Sequence, residues 1–303
     1  MHRIIACFLS LLFVAPTFAA PADATPKPDE QNADAQEESE TRSLLKKIQW
    51  KRGPADAEVG KYAKINVPEG FMFTGGDGTR KLLEAMGNPT NGSELGFLSP
   101  TNLQWFVVFE FSDVGYVKDD DKDKLDPQKL LATIKRGTEM GNKRREKMGA
   151  APMTIIGWET PPKYNEQTHN LEWAIRAESE GHPVVNYNTR LLGRDGVMEA
   201  ALVIKPEKLE ETLPTFQDLL SGYSYKGGHT YAEYKQGDKL AKYGLAALIT
   251  GGAAAVAMKT GLLSAIILFF KKGIKLVVVA VVAVVAWIKR LVLGKGRQDV
   301  SSQ

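Results

Sequence analysis

Cysteine is almost missing. The 303-residue chain holds one, Cys7, inside an apolar run at the N-terminus. Beyond that run, disulfides, thiol nucleophiles and Cys-ligated metals are excluded together. Histidine is scarce too, at four residues. His169, His182 and His229 are scattered, with no HExxH and no short metal-ligand spacing. No serine sits in a GxSxG elbow, and no GxxxxGK precedes Ser or Thr. The sequence therefore offers no starting residue for catalysis and no cofactor motif. Charge excess is also lacking. Lys and Arg number 39 against 36 Asp and Glu, and no basic, aromatic-interleaved face stands out, so nucleic acid is not expected as a partner.

What the chain does have is a long apolar run near its end. Leu276 to Ile288 reads LVVVAVVAVVAWI, with Lys271, Lys272 and Lys275 before it and Lys289, Arg290, Lys295 and Arg297 after it. Such a run does not sit exposed in water, and basic flanks suit lipid head groups. Thirteen residues give only about 20 Å of helix, short of the roughly 30 Å hydrocarbon core. Ile274 to Leu293 is long enough if Lys275, Lys289 and Arg290 snorkel. A second apolar piece, Gly244 to Phe270, carries Lys259 near its middle, which costs about 2.5–3.5 kcal/mol in a span. Two topologies stay open. One span puts the basic tail in the cytoplasm, as the positive-inside rule prefers, and a hairpin puts the turn at Lys271 to Lys275 there instead.

The other end fits export. His2 and Arg3 precede the apolar Ile4 to Val14, and Ala19, Ala20 and Ala22 follow, the layout of a secretory signal peptide over residues 1–20. Residues 21–42 are Pro, Ala, Asp and Glu with hardly any large apolar side chain, a disordered acidic linker. The expected layout is an exported domain over 43–236 and a membrane anchor with a basic tail over 237–303. The lipid bilayer, through residues 244–293, and an unknown envelope protein or ligand are the expected partners.

Between these ends, strands and helices mix. Tyr62 to Val67 alternates apolar and polar residues, and Phe71 to Phe73 is a second short strand. GPADAEVG at Gly53 to Gly60 reads as a turn. Thr79 is the expected cap of a short helix, Arg80 to Met86. Leu103 to Phe111 (LQWFVVFEF) is dense in aromatic and β-branched residues and belongs at the centre of a sheet. Asp126 and Pro127 give a helix start, as N-cap and first residue, for a helix to about Met148 with Gly149 as its stop. Met153 to Trp158 is a strand, and a Pro-Pro turn leads to a meander of Asn170 to Glu178, Pro183 to Leu192 and Val197 to Ile204. A helix from Pro206 and a strand at Tyr223 to Lys226 follow. This order implies α+β: a mostly antiparallel sheet with packed helices, plus a C-terminal transmembrane helical tail.

Three stretches were candidates for chemistry. Asp119, Asp121 and Asp123 have the alternation of a calcium loop, but Lys124 stands at its sixth position and Leu130 at its twelfth, so a solvated turn is the better reading and no metal is expected. GGDGT at Gly75 to Thr79 opens a helix and lacks the P-loop lysine. Trp158, Tyr164 and Trp173, with Asn165, Asn170, Asn186 and Asn188, suit a polar ligand groove and equally suit strand cores.

Several phrases resemble domain-of-unknown-function family 2167, bacterial proteins described as membrane-anchored. They are GNP at Gly87 to Pro89, LQWFVVFEF, GYVKDDD at Gly115 to Asp121, GW at Gly157–Trp158, LEW at Leu171 to Trp173, VNYNTRLLGRDGV at Val185 to Val197 and YGLAALITGG at Tyr243 to Gly252. The resemblance implies an exported domain with a C-terminal anchor and no known activity. Its recurring motifs make Asp119, Asp120, Asn186, Asn188, Arg190 and Arg194 the candidate functional surface, together with Trp158 and Trp173. Three functions fit: a non-enzymatic binding module, an envelope hydrolase pairing Asp119 or Asp120 with a histidine, or a membrane-active stress protein. The export reading predicts a mature N-terminus at Ala20 or Asp23, which mass spectrometry of the purified chain checks.

Overall fold

The computed structural model describes residues 43–86, 88, 90–147 and 151–251. The expected signal peptide, linker, spans beyond Gly251 and helix stop at Gly149 lie outside the described residues. The chain opens on a helical turn at residues 43–47 (α1). Then come β1 (Lys51–Arg52), β2 (Ala55–Val59), β3 (Ala63–Val67), β4 (Phe71–Gly75), α2 (Gly76–Ala85), β5 (Glu94–Pro100), β6 (Phe106–Ser112), α3 (Pro127–Lys147) and β7 (Thr154–Asn165). The second half holds β8 (Asn170–Ser179), β9 (His182–Leu192), β10 (Val197–Ile204), α4 (Leu209–Ser221), β11 (Tyr223–Tyr225) and α5 (Leu245–Thr250).

Eight strands form one antiparallel sheet in the order β1-β4-β5-β6-β10-β9-β8-β7. A second, three-stranded sheet runs β11-β3-β2. The fold is α+β, as the element order implied. Both faces of the large sheet are covered. On one, Phe97, Phe106, Val108, Trp173 and Ile175 meet Leu82 and Leu83 of α2, Leu130 and Ile134 of α3, and Leu245, Leu248 and Ile249 of α5. On the other, Val107, Phe109, Tyr187, Met198 and Leu202 meet the small sheet and Phe216 and Leu219 of α4. Strands buried on both sides read as continuous apolar runs, which is why β6 is buried at every residue. Each large apolar side chain fully buried here contributes about 1.5–3 kcal/mol.

Four local expectations need correction. GPADAEVG is not all turn, because Ala55 to Val59 alternate and form β2 of the small sheet, burying Ala57 and Val59 in the core it shares with the large sheet. β5 was not foreseen. Gly96 and Pro100 weaken it locally, and only its place between β4 and β6 makes it a strand. Pro161 and Pro162 do not make a turn. β7 runs through them as an edge strand, where a missing N–H is tolerated, and its register shifts three times along β8. Thr79 does not cap α2 from outside. It lies buried inside the helix, and its hydroxyl donates to the Gly75 carbonyl at 2.9 Å. Asp126 does cap α3, accepting from the Gln128 and Lys129 amides at 3.1 Å.

The compact unit continues past residue 236. Gly115 has φ +89, and a Cβ there would meet the Lys239 carbonyl at 2.4 Å. That close approach lets Tyr116 donate to Lys239 and accept from Ala241, so residues 239–241 run beside Tyr116. The Asp121 carboxylate then receives the amides of Leu245 and Ala246 at 3.0 and 3.3 Å, and it packs where any Cβ on Gly244 would sit. Asp121 thus caps α5 from a loop over 120 residues earlier in the chain. Gly251, at φ +70, ends α5 in a left-handed turn. Among the described residues no helix is long and apolar enough to cross a membrane. Replacing Asp121 by Ala should cost about 0.5–2 kcal/mol and speed amide exchange in residues 245–250, while β8 to β10 keep their protection. Unchanged exchange in α5 would show that the carboxylate does not hold it.

Candidate functional site

The most unusual chemistry in the fold lies on the helix-covered face of the large sheet. β-strand alternation puts Glu110 and Val108 of β6 on that face, with Glu199 and Ala201 of β10 and Asn186, Asn188 and Arg190 of β9. Register does the rest. Glu94 stands opposite Glu110, Glu110 opposite Glu199, and Glu199 opposite Arg190. Four charged residues from four neighbouring strands therefore form one row. In the next rows Trp173 lies opposite Asn188, and Trp158 and Asn186 flank Ile175.

The partners within the row are unequal. Glu94 is fully buried and accepts the amides of Asn91 and Gly92, both at 2.8 Å. Arg190 pairs through Nη2 with Glu199 at 2.7 Å, and its guanidinium lies 4.7 Å from the centre of the Trp173 ring. Arg190 is only 3% exposed, yet its Nε and Nη1 have no hydrogen-bond partner. Glu110 accepts from the Ser93 hydroxyl at 2.7 Å.

Three carboxylates against one guanidinium cannot all stay charged. Two ionised carboxylates about 5 Å apart repel by about 3 kcal/mol at an effective dielectric of about 20. Adding a proton to an ordinary carboxyl at pH 7 costs a similar amount, and burial tips the balance toward the proton. Burial, reinforced by Glu199, lifts the Glu110 pKa to about 7. Burial raises Glu199 as well, against the pull of Arg190. Tyr243, from the segment that leads into α5, closes the row. Burial pushes its hydroxyl up to about 12, while Ser112 hydrogen-bonds it and Glu199 and Arg190 act on it electrostatically.

The other candidates lie at one end of the sheet, in its loops. The Tyr164 hydroxyl donates to Asp119 Oδ2 at 2.8 Å and lies 3.1 Å from His169 Nδ1. Its single proton goes to the carboxylate, so His169 Nδ1 is the donor toward the Tyr164 oxygen. His169 holds φ +53 in the β7–β8 turn. Its ring sits on Tyr231, which stacks on Tyr116, which stacks in turn on Tyr234. Burial and Asp119 raise the Tyr164 pKa. Asp120 is exposed.

Arg194 does not join the tryptophans. It pairs twice with Asp238, at 2.7 and 2.8 Å, and that guanidinium holds the Asp238 carboxyl down at about 2. Beside it, Asp195 meets His229 Nδ1. Of the sequence candidates, Trp158, Trp173, Asn186, Asn188 and Arg190 thus share one face, while Asp119, Asp120 and Arg194 sit in the end loops. Sequence reasoning missed Glu94, Glu110, Glu199, Tyr243 and His169. Lone glutamates inside the apolar runs FVVFEFS and VMEAALVI were the available signal. Among the described residues, no group of His, Cys, Asp and Glu is arranged to hold a metal ion.

The raised Glu110 pKa has a definite sign. Below about pH 4.5 folded and unfolded chains both carry this proton, and between 4.5 and about 7 only the folded chain keeps it. Stability therefore falls as pH rises through that window and stays lowered above it. Glu110→Gln should match the parent near pH 4.5 and exceed it by about 1–3 kcal/mol near pH 8. Urea denaturation at both pH values checks this, and parallel profiles would refute the assignment.

No curated protein sequence matches the chain. Among solved structures, cyanobacterial PsbP (CyanoP) from Synechocystis sp. PCC 6803 is similar, at 10% identity and TM-score 0.36, over 59% of this chain and 92% of that one. The Saccharomyces cerevisiae Ran-binding protein Mog1p is similar at 8% identity and TM-score 0.29, over 58% and 95%. The family model described as "Protein of unknown function (DUF2167)" matches residues 51–284, from β1 to beyond α5, and the chain belongs to that family.

Proposed function

We propose that this is an exported, membrane-anchored envelope protein whose folded domain lies in the periplasm and binds an envelope component or partner protein. It acts by binding rather than by catalysis. In this reading residues 1–20 direct export, 21–42 are a spacer, and a helix near 274–293 holds the chain in the inner membrane. The supporting observation is the way Asp121 and the core grip α5. A domain on a slack tether needs no such grip. Here Leu245, Leu248 and Ile249 are buried, so the chain that leads toward the apolar stretch leaves directly from the packed core. Carbonate extraction of membranes from cells expressing the full chain tests the anchor: the protein should stay in the pellet, and release into the supernatant would overturn it. Protease added from the periplasmic side should spare a C-terminal tag if there is one span and remove it if there is a hairpin.

A second reading has one observation in its favour. Asp119 and His169 both bond Tyr164, which links an acid, a hydroxyl and an imidazole in one chain of hydrogen bonds. An envelope hydrolase using that line requires His169→Gln to abolish complementation of a deletion strain while protein level and melting temperature hold. Normal complementation would rule it out.

A further inference from the structure

The outer face of α3 is a charged surface, on which Lys129 pairs with Asp126 at 3.0 Å and Arg136 donates to the Thr133 hydroxyl at 3.1 Å. From Pro127 to Lys147 the helix carries Lys129, Lys135, Arg136, Lys143, Arg145 and Lys147 against Glu139 and Glu146, besides Arg144. Its inner side is Leu130 and Ile134, packed in the core. At 100° per residue, Lys129, Arg136, Met140, Lys143 and Lys147 fall on one outward stripe. All five are exposed. The stripe is about 27 Å long at 1.5 Å per residue. Glu139 and Glu146 lie round its edge.

Two features separate this stripe from an ordinary solvated face. Met140 is 51% exposed in the middle of the cations. Ile156 is 49% exposed on β7, the strand against which α3 packs, and the Lys135 ammonium donates to its carbonyl at 3.2 Å. Among the described residues only three large apolar side chains stand this open, and Met140 is the most exposed of them. Long cationic side chains with an apolar residue between them suit phosphate head groups above acyl chains. The second feature is position. α3 packs beside α5 in the same core, and α5 is where the folded unit hands over to the apolar C-terminal sequence.

We infer that the outer stripe of α3, with Met140 at its centre, lies on the surface of a bilayer rich in anionic phospholipid. This rests on the membrane-anchor reading. The contact lays the domain down on the membrane in a fixed orientation, with α4 and the small sheet, on the opposite side of the large sheet, turned away from it.

The test uses the full chain with Cys7→Ser, reconstituted in vesicles. Met140→Cys carries an environment-sensitive fluorophore, Ala132→Cys on the same exposed arc serves as a second reporter, and Gln217→Cys on the outside of α4 is the control. In vesicles containing phosphatidylglycerol, the two α3 reporters should shift to the blue and lose iodide quenching several-fold, and the control should not. Vesicles of phosphatidylcholine alone, about 1 M salt, or the triple change Arg136→Gln, Lys143→Gln, Lys147→Gln should each reverse the shift. Water-like emission at both α3 reporters in the anionic vesicles overturns the inference. So does an equal shift produced by soluble polyphosphate over neutral vesicles, which would assign the stripe to a soluble polyanion. Carbonate extraction of the same samples separates the two ideas: release means that the anchor reading has failed, and retention with water-like reporters means that only the α3 contact has.

Discussion

A row of four charged residues across the middle of a buried sheet constrains everything around it. Glu94, Glu110, Glu199 and Arg190 come from two pairs of consecutive strands, β5–β6 and β9–β10, far apart in sequence, and only the pairing of β6 with β10 aligns them. Buried charge is tolerated when it is paired, hydrogen-bonded or neutralised. This row uses all three. Glu199 pairs with Arg190, Glu94 takes two backbone amides, and Glu110 holds a proton up to about neutral pH. A one-residue slip in any of these strands would throw the row to the other face, into Phe109 and Met198. The row therefore specifies register more than it adds stability.

The same row explains the cover over it. A polar strip inside an apolar face needs a lid that is apolar at its margins and polar at its centre. α2 and α3 supply apolar margins, and Tyr243 reaches the centre, with Leu245, Leu248 and Ile249 following as more margin. The segment that looks like the start of a tail thus completes the core. Asp121 fixes it by capping α5, which gives the acidic loop a structural role.

Much of this architecture was legible in the sequence. LQWFVVFEF announced a central strand because aromatic and β-branched side chains fill a surface buried on both sides. Asp126 and Pro127 announced α3 because they answer needs of a helix start that arise within one turn. The meander of β8 to β10 followed from short polar turns between apolar runs. The family resemblance added that the domain and the apolar stretch belong together. What failed locally was weak locally: β2 and β5 are poor strands on their own and form because their neighbours offer open edges, and β7 carries two prolines that only an outer edge accepts.

The candidate site divides the same way. Trp158, Trp173, Asn186, Asn188 and Arg190 were singled out by residue type and motif, and alternation alone puts the three β9 residues on one face. That Arg190 would meet Glu199, that Glu110 would be trapped between two other carboxylates, and that His169 would reach Asp119 through Tyr164 were tertiary outcomes. So was the separation of Arg194, which the β9–β10 turn carries to Asp238. The sequence by itself determined the central strand, the meander, α3 and the apolar C-terminal stretch, because each depends on side chains a few residues apart. Only the tertiary structure decided which charges share a buried row and which face of α3 stays open, because those depend on pairing between strands and helices whose order in space the local pattern does not encode.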